Sequence, residues 1–396
     1  MCESSIPALV IVGNGPGEIA GWAVPVAAEA RRWAEQTGRP IEINLCLPPC
    51  QFASGQEQAA ATTTRIFDHV INPRGTLRLA LGLPGWAPSA APVLLHVGGD
   101  FWYSRRLARR WGARAFAFVE RAHVRRVHRA FEQIFVPTRD LADRLASYGV
   151  PATKVVVTGD PRFDALPRRQ TAVPGSNGPS SRQTITFLPG SRDHTFSAYF
   201  PFWIETAVAL RSRLPDARLR ILISPYVSSK AHEGMVGRHG RTIEATGITV
   251  EYGGWSRVVG SDLVLTLPGT NTMELAILGI PGIVVLPMQL PSGPPAGLFE
   301  WVVRVPYTGV ALKRLLAPAY RRRFPLVALP NIRLRRQIMP ELVGDVTPEQ
   351  VAEEGARLLH DEGARRKIIQ DLMEIPDETG AARRILTAIN PFQTAA

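Results

Sequence analysis

Twice along this chain, short apolar runs closed by Gly or Pro alternate with helix-length stretches, and this alternation limits the fold more than any other feature. The first series is Ala8 to Gly13 (ALVIVG), IEINLCL at 41–47, RIFDHVI at 65–71, VLLHVG at 93–98, ARAFAFV at 113–119, QIFVPT at 133–138 and KVVVTGD at 154–160. The second is TITFLPG at 184–190, LRILISP at 219–225, ITVEYGG at 248–254, DLVLTLPG at 262–269 and GIVVLPM at 282–288. Apolar runs of this kind are strands covered on both faces, and the helices between them are the crossovers that parallel strands need. Residues 167–183 (PRRQTAVPGSNGPSSRQ) lack any apolar period and have the Pro, Gly and Ser density of a linker. The expected organisation is a Rossmann-like domain over 1–167, a linker over 168–183 and a second Rossmann-like domain over 184–375. A C-terminal helix over 376–396, free to cross back to the first domain, follows Pro376. TPEQ at 347–350 has the form of a capped helix start.

A length of 396 residues fits two domains at about 150 residues each. No apolar run reaches the roughly 18 residues of a membrane span, and the N-terminus runs into a strand without the basic and apolar regions of a secretory signal. The expected location is the cytoplasm. Cys2, Cys46 and Cys50 are too few for a disulfide framework and lack the second ligand pair of a zinc site, and no histidine pair has metal-site spacing. No metal or other cofactor is therefore expected. The 46 basic residues against 34 acidic ones give a net charge of +12, and four of the 46 are lysines. That balance favours anionic partners, although a GC-rich genome also enriches arginine. No nucleic-acid motif accompanies the arginines, so nucleic acid is not an expected partner.

Three loops carry candidate chemistry. GNGPGEIAG, Gly13 to Gly21, joins a strand to a helix; its glycines allow close backbone approach, and its helix amides can meet an anion or a sugar hydroxyl. The same loop could be a simple tight turn, and its glycine spacing is not the dinucleotide fingerprint. LPGSRD, Leu188 to Asp193, puts the Ser191 hydroxyl and the Arg192 guanidinium at the carboxyl edge of a sheet, where open α/β folds bind ligands; Arg suits a diphosphate. LPGTNTMEL, Leu267 to Leu275, offers Gly269, Thr270, Asn271 and Thr272 at a helix start, with Glu274 one turn inside. Plain surface exposure of Arg192 and ordinary capping by Thr270 are the alternatives. Asp100, after two glycines, is a candidate base or a helix cap, and Glu18 is the other candidate base. His96, inside an apolar strand, reads as a core histidine.

The two nucleotide-type junctions together resemble the nucleotide half of a GT-B glycosyltransferase. LPNIRLRRQIMPEL, Leu329 to Leu342, followed by TPEQ, resembles the "LPN…GRE…PEL…TP" segment of bacterial lipid-A-disaccharide synthases. In the same order, PGEIAG at 16–21 is similar to that family's "AGExSGD", VGGDFWYSRRLARR at 97–110 to "GIDxPDFNxxLA", and VPTRDLADRLASYGVPATKVVVTGDP at 136–161 to "PFE…Y…VP…FVGHP". The resemblance implies an α/β GT-B fold, two Rossmann-like domains facing each other across a cleft, with C-terminal helices. It also implies inverting, metal-independent transfer of a glucosamine-type sugar from a UDP donor to a lipid-linked acceptor. Carried over by position, Ser191 and Arg192 would meet the donor diphosphate, Gly269, Thr270 and Asn271 its phosphates, and Glu274 the ribose. Asn331 would stand on the donor side, and Gly17, Glu18 and Gly21 would line the acceptor side. Three departures stand out: Asp100 is the single acid in GGDFWYS where the family has two, Gln337 replaces Glu, and Trp22 and Ala23 replace a polar loop end.

Residues 73–86 (PRGTLRLALGLPGW) mix Leu, Trp and Arg, and the segments at 101–114 and 121–129 add cations. This mixture suits an anionic membrane surface, so the enzyme is expected to be peripheral on the inner membrane face; a solvated basic helix face is the alternative. A UDP-sugar 2-epimerase acting on a soluble nucleotide sugar is the rival activity. The oligomeric state, a homodimer included, is left open.

Overall fold

The computed structural model describes residues 6–50, 53–167, 182–290 and 325–391, apart from the side chains of residues 123 and 125. Residues 168–181 of the expected linker and 392–396 of the expected last helix fall outside them. Two compact units result: Met1–Ala165 with Asp377–Ala396, and Leu166–Pro376.

Unit 1 contains seven strands: β1 (Ala8–Val12), β2 (Glu42–Cys46), β3 (His69–Ile71), β4 (Val93–His96), β5 (Arg114–Phe118), β6 (Gln133–Val136) and β7 (Val155–Val157). They form one parallel sheet in the order β3-β2-β1-β4-β5-β6-β7. Strand β3 is shorter than the apolar run at 65–71 because Arg65 takes a left-handed conformation (φ 55°) and the Asp68 carboxylate accepts the Ile43 N–H. The helices are α1 (Pro16–Glu18), which continues through a π-helical turn (Ile19–Ala23) into α2 (Val24–Thr37), then α3 (Glu57–Thr63), α4 (Pro73–Ala80), α5 (Phe101–Trp111), α6 (Arg139–Ser147) and α7 (Arg162–Ala165).

Unit 2 has β8 (Thr184–Leu188), β9 (Arg218–Ile223), β10 (Thr249–Tyr252), β11 (Leu263–Thr266), β12 (Gly282–Pro287) and β13 (Glu341–Gly344), parallel in the order β10-β9-β8-β11-β12-β13. Its helices are α8 (Asp193–Arg213), α9 (Ser229–Thr246), α10 (Thr270–Leu278), α11 (Leu329–Leu334), α12 (Pro348–His360) and α13 (Glu362–Leu372). The last helix, α14 (Ala381–Ile389), belongs to unit 1 and packs on α2, burying Ala382, Ile385, Leu386 and Ile389 in the same core as Val26 and Ala27. Among the described residues no helix is long and apolar enough to cross a membrane.

Both sheets reverse strand order once, between β1 and β4 in unit 1 and between β8 and β11 in unit 2. Connections diverge on either side of such a point and leave a crevice beyond the carboxyl ends of the strands. Two doubly wound units of this kind make the α/β GT-B fold.

Candidate active site

In unit 1 the crevice lies where β1 ends in the Gly13–Gly21 loop and β4 ends in Val97–Asp100, with Val12 paired to His96. The Glu18 carboxylate stitches these two loops together. Its Oε2 accepts the N–H groups of Asn14 (3.0 Å) and Gly15 (2.9 Å). It also fills the space over Gly98, where a Cβ would stand 1.8 Å from Oε2. Only glycine admits that carboxylate. Asp100, exposed at the edge, caps α5 by accepting the Trp102 N–H through Oδ1 (2.8 Å). Burial, with the Asp100 charge added, raises the Tyr103 phenol above its ordinary range, so Tyr103 stays protonated at neutral pH. His96 is a core residue, with Nδ1 2.8 Å from the Ser104 hydroxyl and its ring 4.2 Å from that of Phe101.

Gly17 and Glu18 are half-buried at this edge, but Gly21 is not on it. Contrary to expectation, Gly21 is buried against Arg162, whose Cγ would lie 2.7 Å from a Cβ there. The π-helical turn carries the loop inward, so Ile19, Trp22 and Ala23 enter the core. Sequence reasoning missed what they meet. Arg162, with a side chain 2% exposed, is paired to Asp160 through Nε (2.8 Å) and to Glu120. Its guanidinium lies 5.5 Å from the Trp22 ring, and the Trp22 indole N–H donates to Asp160 Oδ1 (3.1 Å). Burial opposes the Arg162 charge, but the two carboxylates outweigh it and raise the guanidinium above its ordinary range. One departure from the resembled pattern, Trp22, thus stands on Arg162 and Asp160.

In unit 2 the crevice lies between the ends of β8 and β11, paired at Leu188 and Thr266. The loops that follow adjoin: a Cβ on Gly190 would stand 3.6 Å from Leu267 Cδ1. Ser191 and Arg192 are half-buried, with Arg192 at the start of α8. Burial and the Arg192 charge hold His194 below the usual imidazole range, leaving it neutral at pH 7 and Arg192 as the cation. On the other loop Gly269 (φ 154°) precedes α10, Thr270 is half-buried, and Asn271 Nδ2 donates to Thr266 Oγ1 (2.8 Å). Thr272 Oγ1 donates to the Gly269 carbonyl (2.8 Å) and accepts the Leu329 N–H (3.0 Å), which brings the LPN segment to this loop. Glu274, 6% exposed, stands one turn along α10. A cavity of about 390 Å³ opens between the starts of α8 and α9, lined by Asp193, Ser197, Ser228, Lys230 and Arg238 among others, and not by the residues of the Gly269 loop.

Asn331, expected on the donor side, lies in the segment that meets the Gly269 loop. It is fully buried, and its amide is used within the fold: Nδ2 donates to the Met339 carbonyl and to Glu341 Oε1 (2.8 Å each), while Oδ1 accepts the N–H groups of Ile338 (2.8 Å) and Met339 (2.9 Å). Glu341 also accepts the N–H groups of Val327 and Ala328. The Asn of LPN and the Glu of PEL are therefore two halves of one staple. Arg335 holds a left-handed conformation (φ 55°), Gln337, where the resembled pattern has Glu, is exposed, and Thr347 with Gln350 forms a capping box on α12.

A family model described as lipid-A-disaccharide synthetase matches residues 158–384. The lipid-A-disaccharide synthase of Anaeromyxobacter dehalogenans is 33% identical over 212 residues, 52% of this chain and 49% of that protein, so the match spans about half the relative's length. The synthase of Myxococcus xanthus is 25% identical over 97% of this chain and 90% of its own. Among solved structures, UDP-GlcNAc 2-epimerase from Neisseria meningitidis bound to UDP-GlcNAc has a TM-score of 0.57 at 14% identity, covering 97% of this chain and 99% of that one. The Rickettsia bellii 2-epimerase has a TM-score of 0.52 at 14% identity, covering 98% and 97%. At that identity the likeness is one of fold.

Proposed function

This chain belongs to the lipid-A-disaccharide synthetase family, and from that premise we propose that it transfers a glucosamine-type sugar from a UDP donor to a lipid-linked sugar at the cytoplasmic membrane face. The observation that carries the reading is the placement of both loop pairs at the two points where strand order reverses. Unit 2 holds the donor: Arg192 and the amides at the start of α10 take the diphosphate, and the Glu274 carboxylate takes the ribose hydroxyls. Unit 1 holds the acceptor. Asp100 takes the proton of the acceptor hydroxyl, whose oxygen forms the new bond to the anomeric carbon from the face opposite the leaving group. The bond from that carbon to the diphosphate oxygen breaks with its electron pair, UDP departs, and the anomeric configuration inverts. Arg192 and the helix amides neutralise the departing charge without a required metal.

The test is UDP release from a UDP-glucosamine-type donor with and without a lipid-linked glucosamine acceptor. Release that depends on the acceptor is expected; conversion of the donor sugar without any acceptor would be epimerase chemistry and would reject the reading. Calorimetry with UDP adds a second check. Glu274→Gln should cost about 1.5–3 kcal/mol, roughly 10- to 150-fold in Kd, since it removes charged hydrogen bonds with little change of shape. Unchanged affinity in both Glu274→Gln and Arg192→Ala would place the nucleotide elsewhere.

Membrane contact is assigned to α4, the turn that follows it and α5; the two helices pack together, and Leu77, Leu81, Leu83 and Trp102 are exposed among the arginines of both segments. Apolar insertion with about 1 kcal/mol of attraction per basic residue near an anionic surface makes binding sensitive to salt. Cosedimentation with phosphatidylglycerol-containing vesicles should fall at high ionic strength and in a Leu77→Ser/Leu81→Ser/Leu83→Ser variant. Binding indifferent to both would exclude this surface.

A further inference from the structure

We propose that Arg162 is a positioning residue for acceptor binding, setting where the Gly13–Gly21 loop stands at the edge of unit 1. The inference rests on the assignment of the acceptor to that edge. The contacts that carry it tie the first loop to residues about 100 and 140 positions further along the chain.

Arg162 has its guanidinium shared by Asp160 and Glu120, so its position is fixed from the ends of β7 and β5. Asp160 is itself held, because its N–H donates to Glu378 Oε2 (2.8 Å) and its Oδ1 accepts the Arg162 N–H (3.0 Å). Against this fixed body Gly21 and Trp22 are packed. Gly21 lies on the Arg162 alkyl chain at a distance that admits no Cβ, and Trp22 lays its ring beside the guanidinium while donating its N–H to Asp160. Trp22 is wedged from the other side by Phe118, with ring centroids 5.2 Å apart.

Both anchors lie within the π-helical turn Ile19–Ala23, which follows Glu18 directly. A π turn inside an α-helix admits an extra residue and recurs at functional sites. Here it lets one helix start present Gly17 and Glu18 at the sheet edge while Trp22 points to the ion cluster. A buried charge cluster is weak evidence for stability, since hydrophobic replacements are often neutral. What the cluster supplies under a loop at the reaction edge is geometry: it fixes Gly21 and Trp22 to the ends of β5 and β7.

The test uses the full chain with the UDP-glucosamine-type donor and the lipid-linked glucosamine acceptor. Arg162→Met combined with Asp160→Asn removes opposite charges together, keeps the Oδ1 acceptor for Trp22, and leaves Glu120, 21% exposed, open to water. The expected result is an unfolding midpoint and a UDP affinity near those of the wild type, with kcat/KM for the acceptor lower by about 10- to 100-fold. Trp22→Phe, which keeps the ring and loses the N–H, should show a smaller loss of the same kind. Arg162→Lys, which keeps the charge, should recover part of it. A folded double variant with wild-type acceptor kcat/KM would overturn the proposal, as would loss of the unfolding transition in both the double variant and Arg162→Lys. Asp100→Asn and Glu18→Gln are measured alongside. Full turnover in both Asp100→Asn and Glu18→Gln means that the acceptor assignment has failed, whereas loss in either of these beside a normal double variant means that Arg162 does not position the loop.

Discussion

Asp100→Asn is expected to bind UDP as the wild type does and to turn over about 10²- to 10⁴-fold more slowly, equivalent to roughly 3–5 kcal/mol of barrier. The structure makes this substitution unusually clean. Asp100 caps α5 through one carboxylate oxygen, and Asn caps helices as well as Asp does. Helix start and stability should therefore survive while the proton acceptor is lost. UDP affinity is read by calorimetry, turnover by acceptor-dependent UDP release, and helix integrity by the thermal midpoint. Glu18→Gln is the comparison. Normal turnover in Asp100→Asn beside a large loss in Glu18→Gln would move the base to the first loop.

Asn331→Ala should act on stability and spare chemistry. The substitution strands the N–H groups of Ile338 and Met339, the Met339 carbonyl and one bond to Glu341 in a buried loop. Each buried polar group left unpaired costs about 1–3 kcal/mol, less where water or local relaxation compensates, so a total of roughly 3–5 kcal/mol is expected. For a unit of this size that is a fall in the midpoint of about 6–20 °C. Scanning calorimetry reads the fall, and UDP affinity measured well below the transition should stay near wild type. The opposite pair of results, a normal midpoint with weakened UDP, would return Asn331 to the donor site.

The apolar runs disclosed twelve of the thirteen strands among the described residues, because parallel strands buried on both faces are continuous in hydrophobicity. The exception, β13, is four residues following Pro340, too short to announce a period. Strand order was not legible. Nothing in the run at 93–98 says that β4 returns to the far side of β1, yet that reversal is what brings Gly98 under the Glu18 carboxylate. The loop residues were legible as a set, since Gly and Pro after a strand mark the carboxyl edge. Their individual roles were not. Trp22 and Asp160 are 138 residues apart, and Asn331 and Glu341 are bonded through a turn, so spacing alone could not tell a ligand contact from a staple.

The return of residues 377–391 to unit 1 also bears on the order in which the protein is made. Unit 2 is one uninterrupted stretch of chain, whereas unit 1 buries Ala382, Ile385, Leu386 and Ile389, which leave the ribosome only after all of unit 2. At about 5–20 residues per second, translating that stretch takes on the order of ten to forty seconds. Throughout that interval nascent unit 1 carries an uncovered apolar strip along α2, the kind of surface that chaperones bind and that drives aggregation. The half that is synthesised first is thus completed last, and any ribosome pause within unit 2 prolongs its exposure.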